Sequence, residues 1–481
     1  LLVMRSLGLR QLDDDVPVES TYYEFRRLLG EHLERSGEDL LMQTFSQVTA
    51  VQAMKFGVSG KKVRMDSKLI NSNIATSNRL HLIVEATRNY VKGLKLKIYH
   101  RDFDKEEYAF LEVLQEKTTS NITYSLTKGQ KELLLQRLGS IIWKLLRKST
   151  SQSKGYKVLK QVYEEQYKEV FLKNKEDKEA AKNADPTQGG SKVNIVAKDK
   201  KEIRSDSIQS VHDPEAKYRT KGQGASKQTV KGYHANITES CKKEDELNLI
   251  LDVQVAPANV SEDKFLIPAI DSAQQVLDQS GEDKRIEEAN TDGGYDSNDN
   301  REEMLKDHRP QLNISKMKGG KHRYEMEYND EGELEVRDKK DQHKCEVSYR
   351  EKIKKYRIRS KGGDNRYMTE EEIDNYIRHQ QIVNQINEES YNLRASAEST
   401  IHQVFHLLKK RNKIVYRGLI KCQWYVLSRA LWVNLTRISQ KELENAFILS
   451  ILVLRAIITG QSVKMPDLMD IIKLEKNEVI K

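Results

Sequence analysis

Three acidic residues stand in settings where a carboxylate could do more than solvate a surface. Asp66 lies in KKVRMDSKLINSNI (61–74), where Val63, Met65 and Ser67 alternate with Arg64, Asp66 and Lys68, the period-two pattern of a short strand. Asp292 falls at the end of a second short segment, RIEEANTDGGYDS (285–297), just before Gly293 and Gly294. Glycines at that point let the backbone turn sharply and leave the carboxylate unobstructed. Glu398 belongs to a helical stretch in which Tyr391, Arg394, Glu398 and His402 share one face. An arginine one turn before a carboxylate orients it and keeps it ionised. If the three converge, their oxygens suit a hard divalent cation. Each also has a plainer reading. Asp-Gly is among the commonest turn dipeptides, and an Arg–Glu pair four residues apart simply steadies a helix.

The elements around them follow from periodicity. Residues 17–60 carry two helical patterns, entered through Ser20 and Thr21 and closed by Gly57 and Gly60. Residues 75–204 read as a helical insertion, with Leu134, Leu138, Ile141 and Leu145 on one face and an amphipathic helix from Tyr156 to Ala181. KNADPTQGGSK (182–192) has linker composition. Strand patterns return at 230–240, where Tyr233, Ala235 and Ile237 share a face, and at 246–256, where Leu247, Leu249, Leu251, Val253 and Val255 do. The polar stretch between them reads as a hairpin connection. A helix is expected over 262–279 and a further strand near 311–316. Within 317–368, HRYEMEYNDEGELEVR alternates on both sides of NDEG, which predicts a β-hairpin. Residues 370–410 and 418–458 read as helices, and 461–481 as a tail.

Composition narrows the class. The 481 residues include 82 Lys+Arg against 73 Asp+Glu, a net charge of +9. Three cysteines far apart in sequence exclude a disulfide scaffold and a C-x-x-C zinc site, and suit a reducing compartment. No segment reaches the roughly 18 apolar residues of a membrane helix, and the first residues lack the order of a signal peptide. The chain opens on Leu1 rather than Met, so part of the N-terminal region is expected to be missing.

Six segments in order resemble the DDE transposases of bacterial insertion sequences. They are VRMDSKLINSNI, HDPEAKYRTKGQ (212–223), KGYHANITES, LNLILDVQVAPANVSED, TDGGYDS, and ASAESTIHQVFHLLKKRNKIVYRGLIKCQWYVLSRALWVNLTRI. Together they cover most of the chain outside 75–204 and 322–368. Tyr391, Arg394 and Glu398 match the family's Tyr-x2-Arg-x3-Glu-x6-Lys helix; its final Lys position holds Phe405 here, with Lys409 and Lys410 a turn further on. The resemblance implies an α/β, RNase-H-like fold. A mixed five-stranded sheet (61–68, 230–240, 246–256, 286–292, 311–316) has flanking helices, a helical insertion after strand one and a β-hairpin insertion before the last catalytic helix. The domains implied are an N-terminal helical DNA-binding region (1–60), a catalytic core (61–74, 205–316 and 369–460) and the insertions 75–204 and 317–368.

The resemblance also implies a function. It is metal-dependent cleavage and strand transfer of DNA during cut-and-paste transposition, with recognition of terminal inverted repeats. Asp66, Asp292 and Glu398 would hold two Mg²⁺ or Mn²⁺ ions, Asp66 bridging them, with Tyr391 and Arg394 in support. The partners implied are duplex DNA, as transposon ends and target, and a second copy of the chain in the synaptic complex, in a bacterial cytoplasm. The alternatives are an RNase-H-like nuclease without strand transfer and a domesticated DNA-binding protein.

Charge indicates where DNA would lie. Between Leu393 and Gln440 there are nine basic residues and one acid, Glu398. Lys409, Lys410, Arg411, Lys413 and Arg417 are the expected phosphate contacts. Asp263, which matches an acidic position of the family, reads at least as well as a helix cap. Asp296 and Asp299 read as turn residues and His212 and Asp213 as a loop before a strand. Tyr324, Tyr328 and Tyr349 read as hairpin packing rather than base-stacking platforms. Arg26 and Arg27 are expected to be exposed on a helix suited to DNA recognition.

Overall fold

A computed structural model describes residues 18–75, 77–148, 153–171, 193–222, 227–241, 247–281, 284–315, 322–385, 397–408 and 412–459. At its centre is a mixed sheet built on β1 (Lys62–Asn71). On one side β1 pairs antiparallel with the long β5 (Gln228–Ser240), on the other parallel with β7 (Glu288–Asp292). β7 pairs parallel with β8 (Gln311–Ser315). β5 pairs antiparallel with both β4 (Lys217–Lys221) and β6 (Ile250–Pro257). The sheet thus has six strands, one more than expected. β4 was missed because KYRTK is polar and none of its residues is buried, so no apolar alternation marks it.

Helices cover both faces, and the period of β1 decides which residues meet them. Val63 and Met65 point into a core with Ala289, Leu312 and the helices Leu40–Lys55 and Leu266–Asp278. Burying a side chain such as Met65 contributes roughly 1.5–3 kcal/mol. On the opposite face Ile70, Ala235 and Ile237 pack against the helix Ala397–Phe405 and the long helix Leu419–Thr459. The expected single alternation along 246–256 is broken. The register shifts at Thr238/Glu239, so Leu249 and Leu251 join the first core while Ile250 and Val253 join the second. A bulge reverses the faces of everything beyond it.

The insertion after β1 has its own core, centred on Ile83, Leu111, Leu138, Ile141 and Leu159. The helix expected from Tyr156 to Ala181 stops at Gln166; β2 (Tyr167–Phe171) follows and pairs with β3 (Val193–Ala197). Tyr167 explains the stop. Its ring lies where a Cβ on Gly139 would come within 2.7 Å, so the strand is seated against a helix that has glycine at the contact.

The second insertion contains the expected hairpin, β9 (Tyr324–Tyr328) and β10 (Leu334–Asp338), extended by β11 (His343–Lys344). A second sheet was not foreseen: β12 (Glu346–Arg350), β13 (Lys355–Arg359) and β14 (Asn365–Met368). Tyr324 is buried, the Tyr328 hydroxyl donates to Asp374, and Tyr349 packs edge-on against Tyr356. No helix of the described residues is long and apolar enough to cross a membrane.

Candidate functional site

The β1–β7 register brings the two aspartates together. Lys62 is paired with Glu288, Val63 with Ala289 and Arg64 with Asn290. Carried on two residues, the same register sets Asp292 beside Asp66 on strands about 4.8 Å apart. Both side chains are partly exposed. Asp66 accepts from the Ser67 backbone N–H at 2.8 Å, and Asp292 from that of Gly294 at 2.8 Å. Tyr295, just past β7, is buried in the first core and donates to Asn236 on β5 at 2.5 Å. Burial, and then the charges of Asp66, Glu262 and Asp292, push its phenol well above the usual range. A neutral tyrosine therefore backs a cluster of carboxylates.

Glu398 sits exposed in the first turn of the helix Ala397–Phe405. Two residues on, Thr400 anchors that turn. Its hydroxyl donates to Glu239 at 2.8 Å, and the same carboxylate binds Arg64 at 2.7 Å and Arg437 at 2.8 Å. Glu239 thus ties the Glu398 helix and the C-terminal helix to β1, two residues from Asp66. Among the described residues no three His, Cys, Asp or Glu side chains converge as ligands of one metal ion. The oxygen donors suit Mg²⁺, but the described geometry brings only two of the three expected ligands side by side.

Glu262 was not singled out from the sequence; its neighbour Asp263 was. It opens a short 3-10 turn after β6 and its carboxylate is nearly buried. One oxygen accepts from Ser67 Oγ at 3.0 Å and Lys221 Nζ at 3.3 Å, and lies 3.6 Å from His234 Nε2. The nearby His234 imidazole, then Lys221 and Ser67, hold this carboxyl down to about 2. Only its place directly after Ser261, before a helical pattern, marks it in the sequence. Asp296, its carboxylate nearly buried, is clamped by Arg301 at 2.7 and 2.6 Å; Asp299, expected in a turn, is instead exposed in the first turn of the helix Asn298–Met304, beside Lys264. Asp213 is buried and accepts from Ser72 and from Tyr233, tying the loop before β4 to the end of β1 and to β5.

A groove of about 980 Å³ opens along β1, lined by Ser67, Lys68, Lys221, Lys231, Ile401 and Lys413 among others, with no acid among the described residues of its wall. Lys68 Nζ lies 5.8 Å from the centre of the Phe405 ring. Lys413 donates to the Ile74 carbonyl and Arg417 to that of Asn73, so each gives one donor to the chain and keeps others for a ligand. Tyr391, Arg394, Lys409, Lys410 and Arg411 lie outside the described residues. On the N-terminal helix Arg27 is held between Glu24 and Glu31, and Arg26 stacks on Tyr416 at 4.3 Å.

No family model, curated protein or solved structure matches the chain. The geometry of the site is therefore what bears on function.

Proposed function

We propose that the chain is a DDE-type transposase with an RNase-H-like core, cleaving transposon ends and joining them to target DNA. The observation that carries this reading is the parallel β1–β7 register, which, continued two residues past its last pair Arg64–Asn290, sets Asp292 alongside Asp66, beside a lysine-lined groove and near the helix that bears Glu398. The strand order β6-β5-β1-β7-β8, with the first aspartate on the central strand and the second at the end of its neighbour, is what an RNase-H-like core requires.

Asp66 and Asp292 would hold the shared face of a two-ion Mg²⁺ or Mn²⁺ site, with Glu398 as the third ligand. When bound, the ions would activate the attacking oxygen and stabilise the leaving one. The chain's own part is positional. The Glu239 network holds the Glu398 turn against β1, and Glu262 fixes Ser67 beside Asp66. The groove lysines would neutralise the backbone of the strand being cut. Lys68, over Phe405, would supply the cation that the family's helix carries at that position. Duplex DNA is the partner and a paired complex of two chains the working unit.

The test is incubation of the purified chain and Mg²⁺ with duplexes carrying the sequences that flank its gene. Nicking at a defined 3′ end followed by joining to a second duplex is expected, and should vanish in Asp66→Ala, Asp292→Ala and Glu398→Ala. Cleavage without joined product would instead mean a nuclease. Equal activity in all three variants would end the reading.

A further inference from the structure

We infer that the outward face of the β12–β13–β14 sheet is a second docking surface for duplex DNA, made of residues other than those of the groove along β1. Side chains alternate across a strand. Ile358 and Met368 are buried in the core of the insertion, where Tyr356 and Val347 also pack. The residues between them therefore share the other face. The register aligns Arg350 with Lys355, Ser348 with Arg357, and Arg357 with Tyr367. Arg359 completes the row on β13. That face thus presents the exposed Arg350, Arg359 and Tyr367, the half-buried Lys355 and Arg357, and one acid, Glu346, opposite Arg359.

This arrangement is costly for a sheet that stands alone. Like charges directly opposite each other destabilise a strand pair, and Arg350 and Lys355 are such a pair. Among the described residues neither has a carboxylate partner. Arg357 is bonded to the neutral Asn365 at 2.7 Å, and only Arg359 approaches an acid, Glu346, at 3.7 Å. The turns add to the excess, since Lys352, Lys354 and Lys361 are all exposed. From Glu346 to Met368 there are eight basic residues against three acidic ones. Four cations on two adjacent strands, with Tyr367 beside them on the third and Glu346 as the one acid of the face, fit a continuous polyanion. Cations at every second residue of β13 are about 6.6 Å apart, close to two steps of a DNA strand at roughly 3.4 Å each. The Tyr367 hydroxyl can donate to a phosphate, as tyrosines do at DNA backbones. The choice of DNA as occupant rests on the function proposed above; the charge array does not.

The experiment is titration of a labelled duplex of arbitrary sequence with the full chain, wild type and Arg350→Gln/Lys355→Gln/Arg357→Gln/Arg359→Gln, over a series of salt concentrations. Loss of four phosphate contacts should weaken binding at least tenfold at moderate salt and lower the slope of log K against log salt by about 3 to 4. The variant should melt at or above the wild-type temperature, because the opposed Arg350–Lys355 charges are gone. An unchanged slope in a folded variant overturns the inference while leaving the cleavage reading intact. Wild type that binds no duplex even at low salt overturns both. If the variant keeps duplex binding but loses binding to a polyglutamate peptide, the surface takes an acidic protein and the inference fails.

Discussion

Glu262 accepts a hydrogen bond from Ser67 at 3.0 Å, and through it one carboxylate spans the two strands that carry the aspartates. Ser67 directly follows Asp66. The other oxygen of Glu262 lies against Gly294, two residues past Asp292. A Cβ on Gly294 would sit 1.7 Å from that oxygen and 2.9 Å from Asp292 Oδ1. Glycine is therefore required at this point by close approach, not by backbone angle.

The first prediction concerns this contact. Gly294→Ala must displace Glu262 or turn Asp292 away, and should lower DNA cleavage at least tenfold while leaving the protein folded by circular dichroism. Unchanged cleavage would show that the contact does not hold Asp292 in place.

Glu262 also has a stability signature. Its folded carboxyl is held at about 2, below the ordinary 4.5, chiefly by the neighbouring His234 imidazole. A depressed acid contributes stability that is present above the unfolded value and lost as pH falls toward the folded one. Urea unfolding of wild type and Glu262→Gln should differ most above pH 4.5 and converge as the pH approaches 2. A constant difference across that window would mean the charge of Glu262 is not what its partners stabilise.

Asp252 behaves in the opposite sense. It is buried on β6; Ser272, Gln254 and the Val253 backbone lie near enough to lower its pKa somewhat, but none makes a hydrogen bond of normal geometry to either carboxyl oxygen. Burial pushes its pKa from 3.8 up to about 7. The folded chain therefore holds a proton there that the unfolded chain releases, and stability falls as pH rises from about 4 to 7. The full penalty is on the order of 4 kcal/mol at about 1.4 kcal/mol per pKa unit. Asp252→Asn should be more stable than wild type at pH 8 and show little advantage at pH 4, measured by denaturant unfolding. Equal stability at both would mean the carboxyl finds a partner in solution.

The network around Glu239 is the strongest tie between the proposed third ligand and the sheet. Glu239 is 1% exposed and Arg64 6%. Removing one partner of a buried charge group leaves the others uncompensated, at a cost of about 3–5 kcal/mol. Glu239→Ala should lose stability on that scale. Thr400→Val should lose about 1 kcal/mol, the worth of one hydrogen bond, yet reduce cleavage more than its stability loss explains. If Thr400→Val cuts normally, the turn bearing Glu398 does not need this anchor.

These sites were not equally legible in the sequence. Asp66 and Asp292 could be read because each closes a local pattern, alternation in one case and a strand end before glycines in the other. β1, β5 and the Tyr324–Asp338 hairpin follow from the same period-two signal, β6 follows from it only in part because of its bulge, and β7 and β8 are segments too short to establish such alternation. Glu262 could not be read, because its role comes from His234, Lys221 and Gly294, which meet it only through the sheet and its turns. β4 and the β12–β14 sheet were missed for a shared reason. β4 (KYRTK) has no buried residue to mark it, and in β12 and β13 the alternation of Val347 with Tyr349 and of Tyr356 with Ile358 is only two apolar residues long per strand, set among charges, so only cross-strand pairing reveals them. The helix after Tyr156 was overextended because Lys and Glu at helical spacing continue past Gln166. The turn into β2 is set by the seat for Tyr167 at Gly139, a contact between distant segments.

The last prediction separates DNA holding from cutting. Lys68 rises from β1 two residues after Asp66, over the Phe405 ring, into a groove whose described wall has lysines and no acid. Its ammonium is positioned by packing, since a cation over an aromatic face gains roughly 0.5–1 kcal/mol even when exposed. Lys68→Gln should reduce the salt slope of duplex binding by about 1, the signature of one lost phosphate contact. Phe405→Leu should keep that slope and weaken binding less, because the charge remains but its platform is gone. Salt titrations of the two variants distinguish a phosphate contact from a purely structural lysine. If Lys68→Gln leaves the slope untouched, the groove along β1 does not carry the DNA backbone.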